Sequence, residues 1–349
     1  MIMLGCVILF SLNTSLAHKQ LNWYIIGFIV CCGVPITIKY LPRLNLKIVK
    51  YLYLLITLTL FLATLIIGEE DFGAKNWLTV FGLTFQPSEF NKLFFILYLT
   101  SSLTEYNLKF LNFKELVKKL SLPTIISIIF ILCLVLQNDL GSALIFFVTY
   151  LCIVYVSSSR AWILGLSGIL FGIACRFAYN NFSHVKIRID IWADPYNHIY
   201  TTGEQILKSL ISISSAGFMG IGLNTERLSE IPVVEKDLIF SAICEELGIL
   251  FGIMLVLLIL NTFNICLKIS TSTNSRFLSL LSFGIINLLI FQSFLTIGGS
   301  INLIPLTGVT LPFISYGGSS TIVSFISIGL IQWIFTRNFN IKNNKIIKY

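Results

Sequence analysis

Charge is what this chain of 349 residues has least of. Only 11% of it is Asp, Glu, Lys or Arg, against roughly 25% in a soluble globular domain. A water-soluble fold is thereby excluded, and with 56% hydrophobic residues and a mean hydropathy of +0.88 the chain is an integral membrane protein. Histidine is also scarce: His18, His184 and His198 show no ligand spacing, so a zinc site is not expected. The eight cysteines include no Cys-x-x-Cys pair and lie in or beside apolar runs, which makes them small buried hydrophobes and not a metal site or a disulfide framework. Repeats with a period of about 20 to 50 residues are missing as well. One domain, residues 1–349, is the expectation.

What fills the chain instead is a series of apolar stretches, each near the roughly 17 to 25 residues that a helix needs to cross a bilayer core. Ten are expected, at residues 1–16, 22–38, 49–67, 90–106, 122–137, 142–158, 162–178, 238–262, 277–299 and 318–336, with His18 in the short loop after the first. None alternates polar and apolar residues as barrel strands do, so the fold class is all-α, a polytopic membrane helical bundle. The first stretch is barely long enough to span and has no basic segment before it. Ser15-Leu16-Ala17 matches a signal-cleavage pattern, but a retained helix is the expectation.

Placing the N-terminus in the cytoplasm puts 15 of the 24 Lys and Arg residues, from Lys39 and Arg43 to Arg337 and Lys348, on the inner side. The outer side and its helix margins then hold 12 of the 16 acids. The positive-inside rule therefore favours both termini in the cytoplasm. The net charge of +8 follows from that topology, and contact with anionic membrane lipid accounts for it better than nucleic-acid binding does.

Polar and turn residues gather in four outer segments. The largest is an insertion at residues 179–237, which carries Arg188, Trp192, Gln205, Gly217, Gly220 and Gly222. It is too long to be a mere connection, and its apolar stretch Ile206 to Ile221 reads as a helix or a membrane-dipping segment. The others are Gly73 to Lys92, containing Gln86-Pro87-Ser88-Glu89; Gln137 to Ala143; and Ile304 to Ser320, ending Ser315-Tyr316-Gly317-Gly318-Ser319-Ser320.

Asp237 closes the polar run Ile231-Pro232-Val233-Val234-Glu235-Lys236-Asp237, where the eighth apolar stretch begins. A carboxylate at a membrane helix is costly to desolvate and is kept where a cavity, a partner or a reaction needs it. Two readings stand side by side: a general base, and an N-cap satisfying free helix amides. Glu89 and Lys92, three residues apart, share a helical face and read either as cavity-lining groups or as an ion pair. Arg188 suits a phosphate, because a guanidinium binds two oxygens at once, or pairs with Asp190 or Asp194. Gly317 and Gly318 either let the backbone approach an anionic group at a helix N-terminus or permit close helix packing. Glu245 and Glu246, inside an apolar stretch, are given a structural hydrogen-bonding role.

Taken together, Gln86 to Glu89, Gln137-Asn138-Asp139-Leu140-Gly141, Pro232 to Phe240 followed by Glu245-Glu246-Leu247-Gly248, and Thr310 to Ser320 resemble the SEDS family, which includes FtsW, RodA and SpoVE, over essentially the whole chain. The resemblance implies a peptidoglycan glycosyltransferase that polymerises lipid II, the undecaprenyl-pyrophosphate-linked precursor, at the outer membrane face beside a class B penicillin-binding protein. It implies Asp237 as the base, and Gln86, Glu89 and Lys92 as substrate contacts, with Lys92 toward the pyrophosphate; Arg188, Ser315, Gly317 and Gly318 are the further candidate substrate contacts on their own chemistry. No cofactor is required by this chemistry, and a Mg²⁺ or Mn²⁺ ion at the pyrophosphate is compatible with it.

The chain departs from the family pattern in places. Val233-Val234-Glu235-Lys236 stands where Glu-Ala-His-Thr is frequent, Asn138 where Pro is usual and Asn76 where Arg is usual. Pro305-Leu306-Thr307-Gly308 lacks the Lys of division-type members, a lean toward RodA or SpoVE. A lipid II flippase and a non-catalytic scaffold are the competing readings. Against the flippase, the polar clusters stay on the outer side while the inner loops hold mostly topogenic cations.

Overall fold

The computed structural model describes residues 1–349 apart from 41–46, 72, 81, 199–202, 225–227, 229–230 and 347–349. The topogenic Arg43 and Lys348 lie outside the described residues. Thirteen α-helices occur among the described residues. They are α1 Ile2–Leu12, α2 Thr14–Tyr40, α3 Lys47–Ile67, α4 Pro87–Thr104, α5 Phe113–Leu136, α6 Leu140–Ser158, α7 Ala161–Asn181, α8 Ser183–Ala193, α9 Glu204–Ser215, α10 Ile239–Leu247, α11 Ile249–Ser272, α12 Arg276–Ser300 and α13 Gly318–Ile346. Eight of these, α2, α3, α5, α6, α7, α11, α12 and α13, are long and apolar enough to cross a membrane. The protein is a multi-pass membrane protein of the expected helical class.

Three of the ten expected spans differ in kind, and α2, α5 and α13 run well past the expected bounds, starting at Thr14 and Phe113 and ending at Ile346 respectively. The first is only 11 residues long, because Asn13 takes an extended conformation and its Oδ1 accepts from Ser15 N (3.0 Å) and Leu16 N (3.2 Å), so that it caps α2. His18 therefore sits in α2 and not in a loop. The fourth, α4, falls short of a span's apolarity because it carries Glu89, Asn91 and Lys92, all buried. The eighth is broken at Gly248, whose φ of +98° ends α10 before α11 begins. All eight cysteines are free, yet Cys32 and Cys175 are exposed on helices read as spans, contrary to the expectation of burial.

A small antiparallel ribbon was not expected from the sequence. Its strands β1 Glu69–Asp71, β2 Ala74–Val80 and β3 Leu83–Phe85 pair in the order β1-β2-β3. Lys75 fixes the ribbon, with its N–H on Gln137 O (3.0 Å) and its Nζ on Leu65 O (2.9 Å) at the end of α3. Asn138 holds the neighbouring turn by donating to Gly73 O (2.9 Å) and has φ +59°. Proline, locked near φ −65°, is incompatible with that backbone.

The chain divides into two compact units. One comprises Met1–Ile25, Gly168–Thr262 and Ile290–Thr321, and its core gathers Ile8, Leu9, Leu238, Ile239, Ile243, Leu311 and Ile314. The other comprises Ile26–Ser167, Phe263–Leu289 and Ile322–Tyr349. Its core centres on the rings of Phe61, Phe95, Phe130 and Phe146, with Phe95 stacked on Phe146 at 4.7 Å.

Candidate active site

Asp237 ends a tight turn that enters α10. The turn is made by Val233, whose φ of +60° brings its carbonyl to Lys236 N (3.0 Å) and Asp237 N (3.4 Å). A left-handed conformation costs a residue with a side chain about 1–2 kcal/mol, and β-branched valine adopts it rarely, so the surrounding contacts must hold the turn.

They do so through three successive carbonyls. Tyr316 N donates to Glu235 O (2.9 Å), Ser315 Oγ to Lys236 O (2.5 Å) and Ser300 Oγ to Asp237 O (3.3 Å). The residues that hold this cradle come from helix faces with spacing of four. On α12, Gln292 Nε2 donates to Thr310 O (3.1 Å) and Thr296 Oγ1 to Val309 O (2.8 Å), in line with Ser300. On α2, Gln20 accepts from Gly317 N (3.1 Å) and Tyr24 donates to Phe313 O (3.1 Å). None of these supports was singled out from the sequence, although buried polar residues at i, i+4 and i+8 on an apolar helix were a readable signal.

The Asp237 side chain is partly buried. Its structural role as a cap is not seen: α10 has Leu238 at the N-cap position and no side-chain cap hydrogen bond. Burial pushes its carboxyl up to about 6, while the Lys236 and Arg188 cations draw it down and Glu235 adds to the rise. Glu235 and Lys236 thus act on Asp237 in opposite directions. Gly308, at φ +74°, lies beside it, where an added Cβ would sit 3.7 Å from Oδ2.

Arg188 lies on α8, not in a loop, and its Nη1 donates to Leu306 O (3.3 Å). Neither alternative partner takes it, since Asp190 accepts from the Tyr179 hydroxyl and Asp194 from Asn197. One guanidinium therefore ties α8 to the Leu306–Gly308 loop and keeps a positive charge near Asp237.

Three expected substrate contacts have other duties here. The Ser315 hydroxyl is 2% exposed and is shared between Lys236 O and Leu311 N (2.8 Å), so it positions the Asp237 turn. The Gly317 amide is donated to Gln20 and does not face a ligand, and neither Gly317 nor Gly318 has positive φ. Gly318 is required by packing, because a Cβ there would meet the Trp23 ring at 2.5 Å. Ser315→Ala removes both hydrogen bonds and is expected to cost about 1–3 kcal/mol, read as a lower unfolding temperature, with turnover reduced through the displaced turn.

Gln86, Glu89 and Lys92 belong to the other unit. Pro87 opens α4, Glu89 sits in its first turn, and the Glu89 carboxylate meets Lys92 Nζ at 2.6 Å with side chains 6% and 1% exposed. Gln86 Nε2 (3.5 Å) and Ser88 Oγ (3.2 Å) donate to Asp139, whose other oxygen caps α6 through Ser142 N (2.9 Å). Glu246 is bound by the Ser11 hydroxyl and by Asn224 N (3.2 Å), a hydrogen-bonding role in line with the sequence reading. Among the described residues no three His, Cys, Asp or Glu side chains gather to hold a metal ion.

Fold and site together define a polytopic helical membrane protein with a partly buried carboxylate held by backbone beside an arginine. Residues 3–339 match the model of the cell cycle protein family of FtsW, RodA and SpoVE, and the chain belongs to that family. It is 31% identical over 331 residues to the peptidoglycan glycosyltransferase RodA of Mycobacterium leprae, covering 91% of this chain and 70% of that one. With the probable peptidoglycan glycosyltransferase FtsW of Wigglesworthia glossinidia brevipalpis it shares 33% identity over 347 residues, 95% of this chain and 86% of that one. Against the mycobacterial RodA proteins it spans between 58% and 70% of their length. A chain from a solved peptidoglycan synthase complex superposes with a TM-score of 0.81 at 25% identity, covering 97% of this chain and 95% of that one.

Proposed function

We propose that this chain is a peptidoglycan glycosyltransferase that polymerises lipid II at the outer face of the cytoplasmic membrane. The observation that carries the mechanism is Asp237, a carboxylate fixed through its own backbone, raised to about 6 and lying near Arg188. In the reaction a sugar hydroxyl of the acceptor attacks the anomeric carbon of the lipid-linked donor. The hydroxyl proton passes to Asp237 as the new C–O bond forms, and the bond from the anomeric carbon to the pyrophosphate oxygen breaks with inversion. The undecaprenyl pyrophosphate leaves with the electron pair, and Arg188 answers its charge. A base whose pKa lies just below neutral is ionised at working pH and still accepts a proton readily.

The motif loops face outward and both termini lie in the cytoplasm, the orientation that the Lys and Arg distribution favours. A class B penicillin-binding protein is the partner we assign, since glycan strands require cross-linking. The Pro305-Leu306-Thr307-Gly308 segment favours the RodA or SpoVE side of the family. The test is polymerisation of lipid II by the purified protein, alone and with its transpeptidase. Glycan strands are expected; none in either condition would turn the reading toward a transporter or a scaffold.

A further inference from the structure

The loop after α9 is apolar where a water-facing loop is not. Residues 216–224 hold no charge, and at its tip Phe218 is 82% and Met219 78% exposed. Its backbone is nevertheless fixed into the break at Gly248. Ile221 N donates to Glu245 O (2.8 Å) and Gly222 N to Glu246 O (3.2 Å), the carbonyls freed at the end of α10. Ile249 N and Leu250 N, the amides freed at the start of α11, donate to Gly217 O (3.1 Å) and Phe218 O (3.5 Å). The approach is so close that a Cβ on Gly220 would lie 2.3 Å from Glu246 O.

Non-helical backbone is tolerated at membrane depth only when its polar groups are paired inside the protein, and this docking pairs them. The depth follows from α11, which rises about 29 Å from Ile249 to Lys268 at 1.5 Å per residue, close to the roughly 30 Å of a hydrocarbon core. Gly248 and the loop docked on it thus fall at the hydrocarbon edge. The tip also continues an exposed apolar surface of α11 formed by Leu250, Ile253 and Met254. We infer that residues 216–224 are a re-entrant anchor whose Phe218 and Met219 side chains enter the acyl chains of bilayer lipids. Through Ser209 on α9, which donates to Ser300 O (2.8 Å), the anchored segment also connects to the support of Asp237.

The test uses Phe218→Trp and Met219→Trp in the full chain, reconstituted in phosphatidylcholine vesicles, with emission read as the difference from the unsubstituted protein. The added emission is expected to be lost in vesicles of lipid brominated near the headgroup end of the chain and to be spared by aqueous iodide. Adding Gly220→Ala, which undocks the loop, should reverse that pattern. Quenching by iodide in the docked protein would overturn the inference, as would emission that neither quencher reaches, which would mean a protein covers the tip. Relief of bromine quenching by a small mole fraction of unbrominated polyprenyl pyrophosphate would overturn it too, by assigning the tip to the substrate's chain.

Discussion

Asp237→Asn is expected to lower lipid II polymerisation by about 10² to 10⁴, the usual worth of a positioned general base, without loss of fold. The amide keeps the size of the side chain but cannot take the acceptor's proton. Its effect on stability has the opposite sign. Because the folded state raises the Asp237 carboxyl from 3.8 to about 6, folding favours the protonated form. That contribution to stability is complete below pH 3.8 and is lost as the pH rises to about 6. At neutral pH the native protein therefore carries an ionised group it would rather neutralise, at a cost on the order of 3 kcal/mol. The asparagine removes this cost, so the unfolding midpoint in detergent should hold or rise while turnover collapses. A variant that loses turnover and unfolds earlier would instead mark Asp237 as part of the scaffold.

The largest effect on stability is expected at Glu89 and Lys92. Each is almost fully buried and the two meet at 2.6 Å, so replacing one leaves the other as a buried charge without its counterion. Lys92→Met or Glu89→Gln alone should cost about 3–5 kcal/mol, whereas the double replacement should recover most of that loss. Thermal unfolding of the two single variants and the double one measures this directly. The role at the pyrophosphate that the family resemblance implies for Lys92 requires the recovered double variant to remain impaired in turnover. Turnover at the unsubstituted level would return the pair to a structural role.

Hydropathy made the membrane class and most helices legible, because a span must be apolar over its whole length and that is a property of local sequence. What it could not show were interruptions. Gly248 sits in a stretch that reads as one apolar span apart from Glu245 and Glu246, and the break there is stabilised by the loop of residues 216–224, which supplies hydrogen bonds from elsewhere in the chain. Asn13 is polar and short and reads in hydropathy as no more than a dip, yet it ends α1 and caps α2. The β ribbon escaped notice because its strands, two of them only three residues long, are too brief for alternation to register.

In the site, Asp237 and Arg188 were visible as charges in an apolar chain, and both adjoin the Leu306–Gly308 loop, Arg188 by donating to Leu306 O and Asp237 by lying beside Gly308. Ser315 was singled out as a ligand contact and here its hydroxyl meets a carbonyl 79 residues away; a hydroxyl in a glycine-rich turn looks the same in sequence in either role. For Gly318 the sequence offered backbone freedom or close packing, and the structure shows the packing, with the Trp23 ring where a side chain would lie.

The most direct measurement of whether Asp237 takes the acceptor's proton is the pH dependence of kcat/KM for lipid II polymerisation, in the unsubstituted protein and in Asp237→Asn. The unsubstituted protein should lose about tenfold in rate for each pH unit below a midpoint near 6, since only the ionised carboxylate acts as base. The asparagine variant should keep a low residual rate with that limb gone. The same limb surviving in Asp237→Asn would show that another group titrates in the reaction and would contradict the assignment.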